Sequence, residues 1–231
     1  VTQITDHLAD IERRIAVALL ECGRSGESVT LVAVSKMQSV EAVRVAASQG
    51  VAHFGENYLQ EGLDKIAAVA NAALSWHFIG RVQANKTRPI AENFEWVDTV
   101  DRARIADRLN EQRPPGLPPL NVLIQVNLDQ EPQKAGVGAA EILPLARHLL
   151  TLPRLRFRGL FSIPPEGQST AARRESFLAV RAAAERLRES GVAVDTLSFG
   201  MSADFELAIA CGATAVRIGT LLFGERPAAR A

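Results

Sequence analysis

Lysine is scarce in this chain: Lys36, Lys65, Lys86 and Lys134 stand against twenty-two arginines. Lys36 follows an apolar run, VTLVAV at 29–34, within AVSKM. An amine set against an apolar wall is disfavoured as the cation, and the neutral amine attacks carbonyl carbon. A surface lysine whose stem snorkels outward explains the position too. In the last third, SFGMS at 198–202 and RIGT at 217–220 each close a short apolar run with glycine and hydroxyl residues. Backbone N–H groups at 200–202 and 219–220, beside the hydroxyls of Ser198, Ser202 and Thr220, suit a phosphate dianion. Tight turns alone would also account for the glycines. An amine facing an anion cradle suits a phosphorylated aldehyde or ketone.

Other candidates are less specific. GEN at 55–57 offers Asn57 as a ligand partner, with Glu56 suited to a helix N-terminus through the dipole; a plain helix cap explains both. His77, in WHFIG, reads as a hydrogen-bonded core residue. Histidines at 7, 53, 77 and 148 lack metal-ligand spacing, Cys22 and Cys211 form no CxxC, and no metal is expected. Phosphate-binding P-loop, dinucleotide and GxSxG patterns are missing, which leaves a serine hydrolase unsupported.

These residues must be carried by regular elements. Ile4, Leu8, Ile11, Ile15 and Leu19 mark one face of an opening helix. Strands are predicted at 29–34, 51–54, 76–79, 94–97, 121–126, 156–161, 196–199 and 215–218. Helices are expected at 40–50 with Ser39 as N-cap, 56–70, 82–92, a segment capped by Asp101, 139–150, 169–190 and 202–211. Eight apolar, non-alternating strands separated by helix-sized segments imply a parallel sheet covered on both faces. The expected fold is therefore a single α/β domain, a (β/α)8 TIM barrel with an added N-terminal helix. Helix and lead-in occupy 1–28, the barrel 29–225 and a tail 226–231. An open doubly wound sheet is the alternative. In the barrel, Lys36 faces the mouth where active sites assemble, and phosphate sites recur after strands seven and eight.

Composition narrows the classes. The 231 residues are 47% hydrophobic, ample for a core, and their 26 basic and 26 acidic side chains balance to zero. Neutrality argues against nucleic acid as a partner. No apolar run approaches the ~20 residues a membrane helix needs, and the first twelve read as helix rather than leader. Two distant cysteines suit reduced thiols and a cytoplasmic location. Pyridoxal 5′-phosphate (PLP) meets the amine-plus-phosphate description, and so does a sugar phosphate in a Schiff-base aldolase. Residue types alone leave both open.

The motifs AVSKMQ at 33–38, HFGENYLQE at 53–61, WHFIGRVQANK at 76–86, VLIQVNLDQEPQKAG at 122–136, RGLFSIP at 158–164, LSFGMSADFELAI at 197–209 and VRIGTLLFGER at 216–226 together resemble the YggS/PROSC family of PLP homeostasis proteins. The resemblance runs through the motifs in family order over essentially the entire chain. It implies the fold-type III barrel of the alanine racemase N-terminal domain and PLP as cofactor, held as a reversible aldimine on Lys36. Arg217 would approach the pyridine nitrogen and discourage its protonation, and Asn57 would lie by the ring. Ser198, Met201, Ser202, Gly219 and Thr220 would fall on the phosphate-binding segments. His77 and Asn85 lie in the signature without an assigned role.

Met37-Gln38-Ser39 departs from the family's usual threonine-lysine-proline, so a hand-over route through a second amine loses its residue. Racemases of this fold take a second acid/base, a tyrosine, from another domain. The one tyrosine here, Tyr58, reads as packing or pocket wall one turn into the second helix, so no catalytic residue is assigned. The expected role is a monomeric, non-catalytic carrier that buffers PLP or delivers it through transient contact with apo-enzymes. A slow PLP-dependent racemase or lyase is the enzymatic alternative.

Overall fold

In the computed structural model, which describes residues 2–129 and 135–224, every one of the eight apolar runs forms a strand. The chain runs α1 (Thr2–Glu21), β1 (Thr30–Val34), α2 (Val40–Ser48), β2 (His53–Glu56), α3 (Leu59–Val69), β3 (Ser75–Phe78), a 3-10 turn (Ala84–Lys86) and α4 (Thr87–Asn93). It continues through β4 (Trp96–Val100), α5 (Ala103–Gln112), β5 (Leu120–Val126), α6 (Ala139–Leu150), β6 (Leu155–Ser162), α7 (Thr170–Glu189), β7 (Thr196–Met201), α8 (Phe205–Ala210), β8 (Ala215–Ile218) and α9 (Thr220–Phe223). All neighbouring strands are parallel, and β1 pairs with β8 from Thr30 opposite Ala215 to Ala33 opposite Ile218. That last pairing closes the barrel and removes the open-sheet alternative. Lys134 and the segment 226–231 lie outside the described residues.

Alternation along the strands divides the apolar side chains. One set, including Phe54, Val97, Ile124 and Leu160, packs outward against the helices in the main core. A smaller cluster of Trp96, Leu123 and Phe161, with Ile79 beside it, is separate from that core. α1 packs on α8 and α9, where Arg14 Nε donates to Glu206 at 2.7 Å and His7 Nδ1 lies 3.0 Å from the Leu222 carbonyl. Both cysteines are unpaired, with Cys211 buried.

Ser39 caps α2 as expected, its hydroxyl accepting from the Ala42 N–H at 3.1 Å. Other boundaries differ. Asp101 does not cap α5: Arg102 is the N-cap, and Asp101 is turned to its guanidinium at 2.5 Å. Glu56 does not open a helix. It ends β2 opposite Phe78, its side chain is fully buried, and α3 starts only at Leu59. Charge satisfaction decides this, because Lys65 and Ser35 bond the Glu56 carboxylate and draw it into the sheet–helix interface. Likewise α8 starts at Phe205, after Asp204 has used its carboxylate on the preceding turn.

Candidate functional site

Strand ends on one mouth of the barrel build a cleft of about 270 Å³, near the lower end of the roughly 300–1,000 Å³ of small-molecule sites. Lys36 enters its wall two residues beyond β1, Asn57 one residue beyond β2, and Met201 and Ser202 from the end of β7. Arg217, Gly219 and Thr220 come from β8 and the turn into α9. Val34, Ile79, Phe161 and Ile163 supply apolar surface. Seven of the eight sequence-selected residues thus share one cleft. Ser198 does not line it: this side chain is buried behind Arg217 and faces a second cavity at the opposite mouth.

Arg217 is the buried cation of the site, 3% exposed. Its guanidinium donates to the Ser198 carbonyl and hydroxyl at 2.9 and 3.0 Å and to the Ser162 carbonyl at 2.9 Å. It also lies 4.2 Å from the centroid of the Phe161 ring. Burial lowers its pKa to about 10, with Asp98 and Asp204 opposing that shift, so the group stays cationic at neutral pH. A guanidinium has donors only and no acceptor to offer.

The turns after β7 and β8 are shaped by close packing. Gly200 has φ +95°, and a Cβ there would sit 2.4 Å from the Ala208 Cβ. The Met201 N–H donates to Asp204 at 2.6 Å, while Arg173 holds the other oxygen of the same carboxylate at 2.7 Å. The N–H groups of Gly219 and Leu221 converge on the Ser202 hydroxyl at 3.4 and 3.5 Å, long for hydrogen bonds. Across the cleft, Gly80 lets β3 approach Asn57 so closely that a Cβ would lie 2.1 Å from the Asn57 carbonyl oxygen. The Asn57 side-chain Oδ1 is buried with no hydrogen-bond partner among the described residues. Such a group costs about 1–3 kcal/mol unless something satisfies it.

Lys36 is flanked by a held turn. Met37 has φ +63°, a left-handed conformation costing an L-residue roughly 1–2 kcal/mol. Its N–H donates to Glu61 Oε1 at 2.5 Å. Behind it, Lys65, 4% exposed, contacts Glu56, Glu61 and the Ser35 carbonyl. Burial pushes the Glu56 carboxyl above its usual range, against the opposing bonds from Lys65 and Ser35. Sequence reasoning missed this cluster. The one available signal was the scarcity of lysine, which made Lys65 conspicuous without revealing its partners.

Tyr58 is neither packing nor wall: it sits at the N-cap of α3, 60% exposed, because α3 begins later than expected. His77 faces the opposite cavity, where Nδ1 lies 3.1 Å from Asp98 and Nε2 lies 3.0 Å from His53 Nδ1. An ionised carboxylate only accepts, so His77 donates from Nδ1 and, in the neutral pair, accepts from His53 at Nε2. No cluster of metal-ligating side chains occurs among the described residues, nor any helix long and apolar enough to cross a membrane.

Residues 7–227 match the family model of the alanine racemase N-terminal domain. The pyridoxal phosphate homeostasis protein of Pseudomonas aeruginosa is 50% identical over 223 residues, covering 96% of each chain. That of Escherichia coli is 48% identical over 226 residues, covering 96% of this chain and 97% of its own. The structure of PipY from Synechococcus elongatus with PLP bound superposes with a TM-score of 0.85 at 34% identity, over 96% of this chain and 100% of that one. Extended over nearly the entire chain and joined to the barrel and its cleft, these likenesses show that the chain belongs to the YggS/PROSC family of pyridoxal phosphate homeostasis proteins, built on the alanine racemase N-terminal barrel.

Proposed function

We propose that this protein binds PLP in the Lys36 cleft and serves PLP homeostasis, holding the cofactor reversibly and releasing it. The observation that carries this reading is the single cleft in which Lys36 shares walls with Ser202, Gly219, Thr220 and Arg217. The residues fit the group: a primary amine, backbone donors around a hydroxyl, a cation, and in Asn57 Oδ1 a buried acceptor with no partner among the described residues. When bound, PLP supplies an aldehyde that condenses reversibly with a primary amine, with loss of water.

Lys36 provides that amine, while Ser202, Gly219 and Thr220 hold the phosphate end and Met201, its N–H bonded to Asp204, lines the wall beside it. Asn57 flanks the ring. Arg217, with donors only, would meet the pyridine nitrogen of a bound PLP without the carboxylate that would keep that nitrogen protonated, and so would weaken the electron sink that turnover needs. Ser198 acts through Arg217, which it orients. The protein works as a single copy in the cytoplasm, as a carrier rather than a catalyst, and meets recipient apo-enzymes transiently.

An absorbance titration with PLP, followed by borohydride reduction and peptide mass mapping, tests the reading. A saturable long-wavelength band and a pyridoxyl adduct on Lys36 are expected; absence of both overturns it. Reactivation of an apo-enzyme by the loaded protein tests delivery separately from storage.

A further inference from the structure

The amine assigned to cofactor capture does not sit on a free loop. Ser35 and Met37, the residues on either side of Lys36, are each tied to one buried ionic cluster formed by β2 and α3. Lys65 Nζ donates to the Ser35 carbonyl at 2.5 Å, to Glu56 Oε1 at 2.8 Å and to Glu61 Oε1 at 2.6 Å. The Ser35 hydroxyl donates to the same Glu56 oxygen at 2.6 Å, and the Met37 N–H to the same Glu61 oxygen at 2.5 Å. An ammonium has three protons, and these contacts account for all of them. Lys65 is therefore no spare nucleophile for an aldehyde, despite its nearness in space. It is a fixed charge whose partners are the backbone and carboxylates that frame Lys36.

A buried ion pair is weak evidence for stability, because desolvation offsets much of the attraction. Docking α3 onto the barrel needs no such cluster either, since Leu59, Leu63 and Ile66 already pack on the main core. What the cluster specifically determines is the backbone from 35 to 37, including the left-handed conformation of Met37, which costs an L-residue roughly 1–2 kcal/mol. We propose that Lys65, acting with Glu56 and Glu61, is the positioning residue for Lys36: it fixes the turn that directs the reactive amine into the cleft. This inference rests on the PLP reading and adds to it a residue that does not line the cleft.

The test separates capture from binding. Lys65→Met and Glu61→Gln are compared with the unaltered protein for the rate of borohydride-trapped pyridoxyl adduct on Lys36. Affinity is measured in parallel for pyridoxine 5′-phosphate, which has the phosphate and ring but no aldehyde. Misplacing a reacting group by about an ångström costs up to 10²-fold, so adduct formation should slow by about tenfold or more in Lys65→Met. Glu61→Gln, which keeps an acceptor oxygen but drops the charge, should slow it less. Pyridoxine 5′-phosphate affinity should stay within about twofold for both, because misplacement of the amine leaves the phosphate cradle unchanged.

Should Lys65→Met fail to fold, the partly exposed Glu61 variant decides the matter. Wild-type trapping rates in folded variants overturn the inference, as does an equal loss of both ligands, which would make the cluster a scaffold for the cleft. An unaltered protein that takes up PLP without ever trapping it on Lys36 overturns the positioning role alone. One that takes up no PLP overturns the functional reading first.

Discussion

The two mouths of this barrel both carry polar side chains, yet they are built on opposite terms. At the lower mouth, where strands begin, a cavity of about 510 Å³ holds His53, His77, Asp98, Arg158, Asp195 and Asn121. Those side chains satisfy one another. Asp98, His77 and His53 form a chain, and Arg158 is bonded to both Asp195 oxygens at 2.9 Å and to Asn121 at 3.0 Å while lying over the Trp96 ring. The upper cleft is smaller but holds an orphaned Asn57 oxygen, weakly engaged backbone donors and a lysine on a held turn. The larger cavity is thus the self-satisfied one, and unsatisfied chemistry lies at the end proposed as functional, the same end where barrels of this class place their sites. Arg217 divides the two, lining the upper cleft while bonded to Ser198 in the lower wall.

The contrast can be broken most directly at Lys36. Lys36→Ala should abolish the borohydride-stable adduct entirely while leaving the thermal midpoint close to wild type; an adduct of undiminished yield on another residue would dissolve the distinction between the mouths. The next largest effect belongs to the dividing residue. Arg217→Met strands the Ser162 and Ser198 acceptors and should cost roughly 2–4 kcal/mol in urea unfolding.

The lower mouth sharpens the comparison through pH. Burial and the neighbouring His77 lower the His53 pKa from 6.5 to about 4, with Asp98 opposing. Between those values the unfolded chain binds the proton that the folded one refuses. The contribution of His53 is thus complete above pH 6.5 and is lost as pH falls toward 4. Allowing for partial exposure, stability should drop on the order of 1 kcal/mol across that window. His53→Phe should flatten the drop without slowing adduct formation at Lys36, and an equal slope in both proteins would remove His53 as its source. The smallest effect is expected from Ser39→Ala, about 1 kcal/mol from the lost α2 cap, read as a lowered urea midpoint.

The order of elements was legible because each buried strand is a short apolar run and each helix carries its own period. Closure was implied only by the count of eight; the pairing of β1 with β8 is a long-range fact that no local pattern contains. Lys36, Asn57, Ser202, Gly219 and Thr220 could be picked out because they stand at or just beyond strand ends, and the family motifs added Met201 and a role for Arg217. Glu56 was misread for a physical reason: an acid after a glycine resembles a helix start, and only the docking of α3 reveals the Lys65 that draws it inward. The same late start of α3 exposed Tyr58, and Ser198 was assigned to the phosphate end although its strand position turns it below Arg217.

The pairing of the first strand with the last also sets a timetable. Lys36 leaves the ribosome early, whereas Gly219 and Thr220 follow only after nearly the entire barrel has been made, on the order of ten seconds or more at about 5–20 residues per second. Until β8 seats against β1, the nascent chain carries a lysine but no opposing half for its cleft. On the proposed reading, cofactor capture is in this way reserved for molecules whose final strand has been delivered.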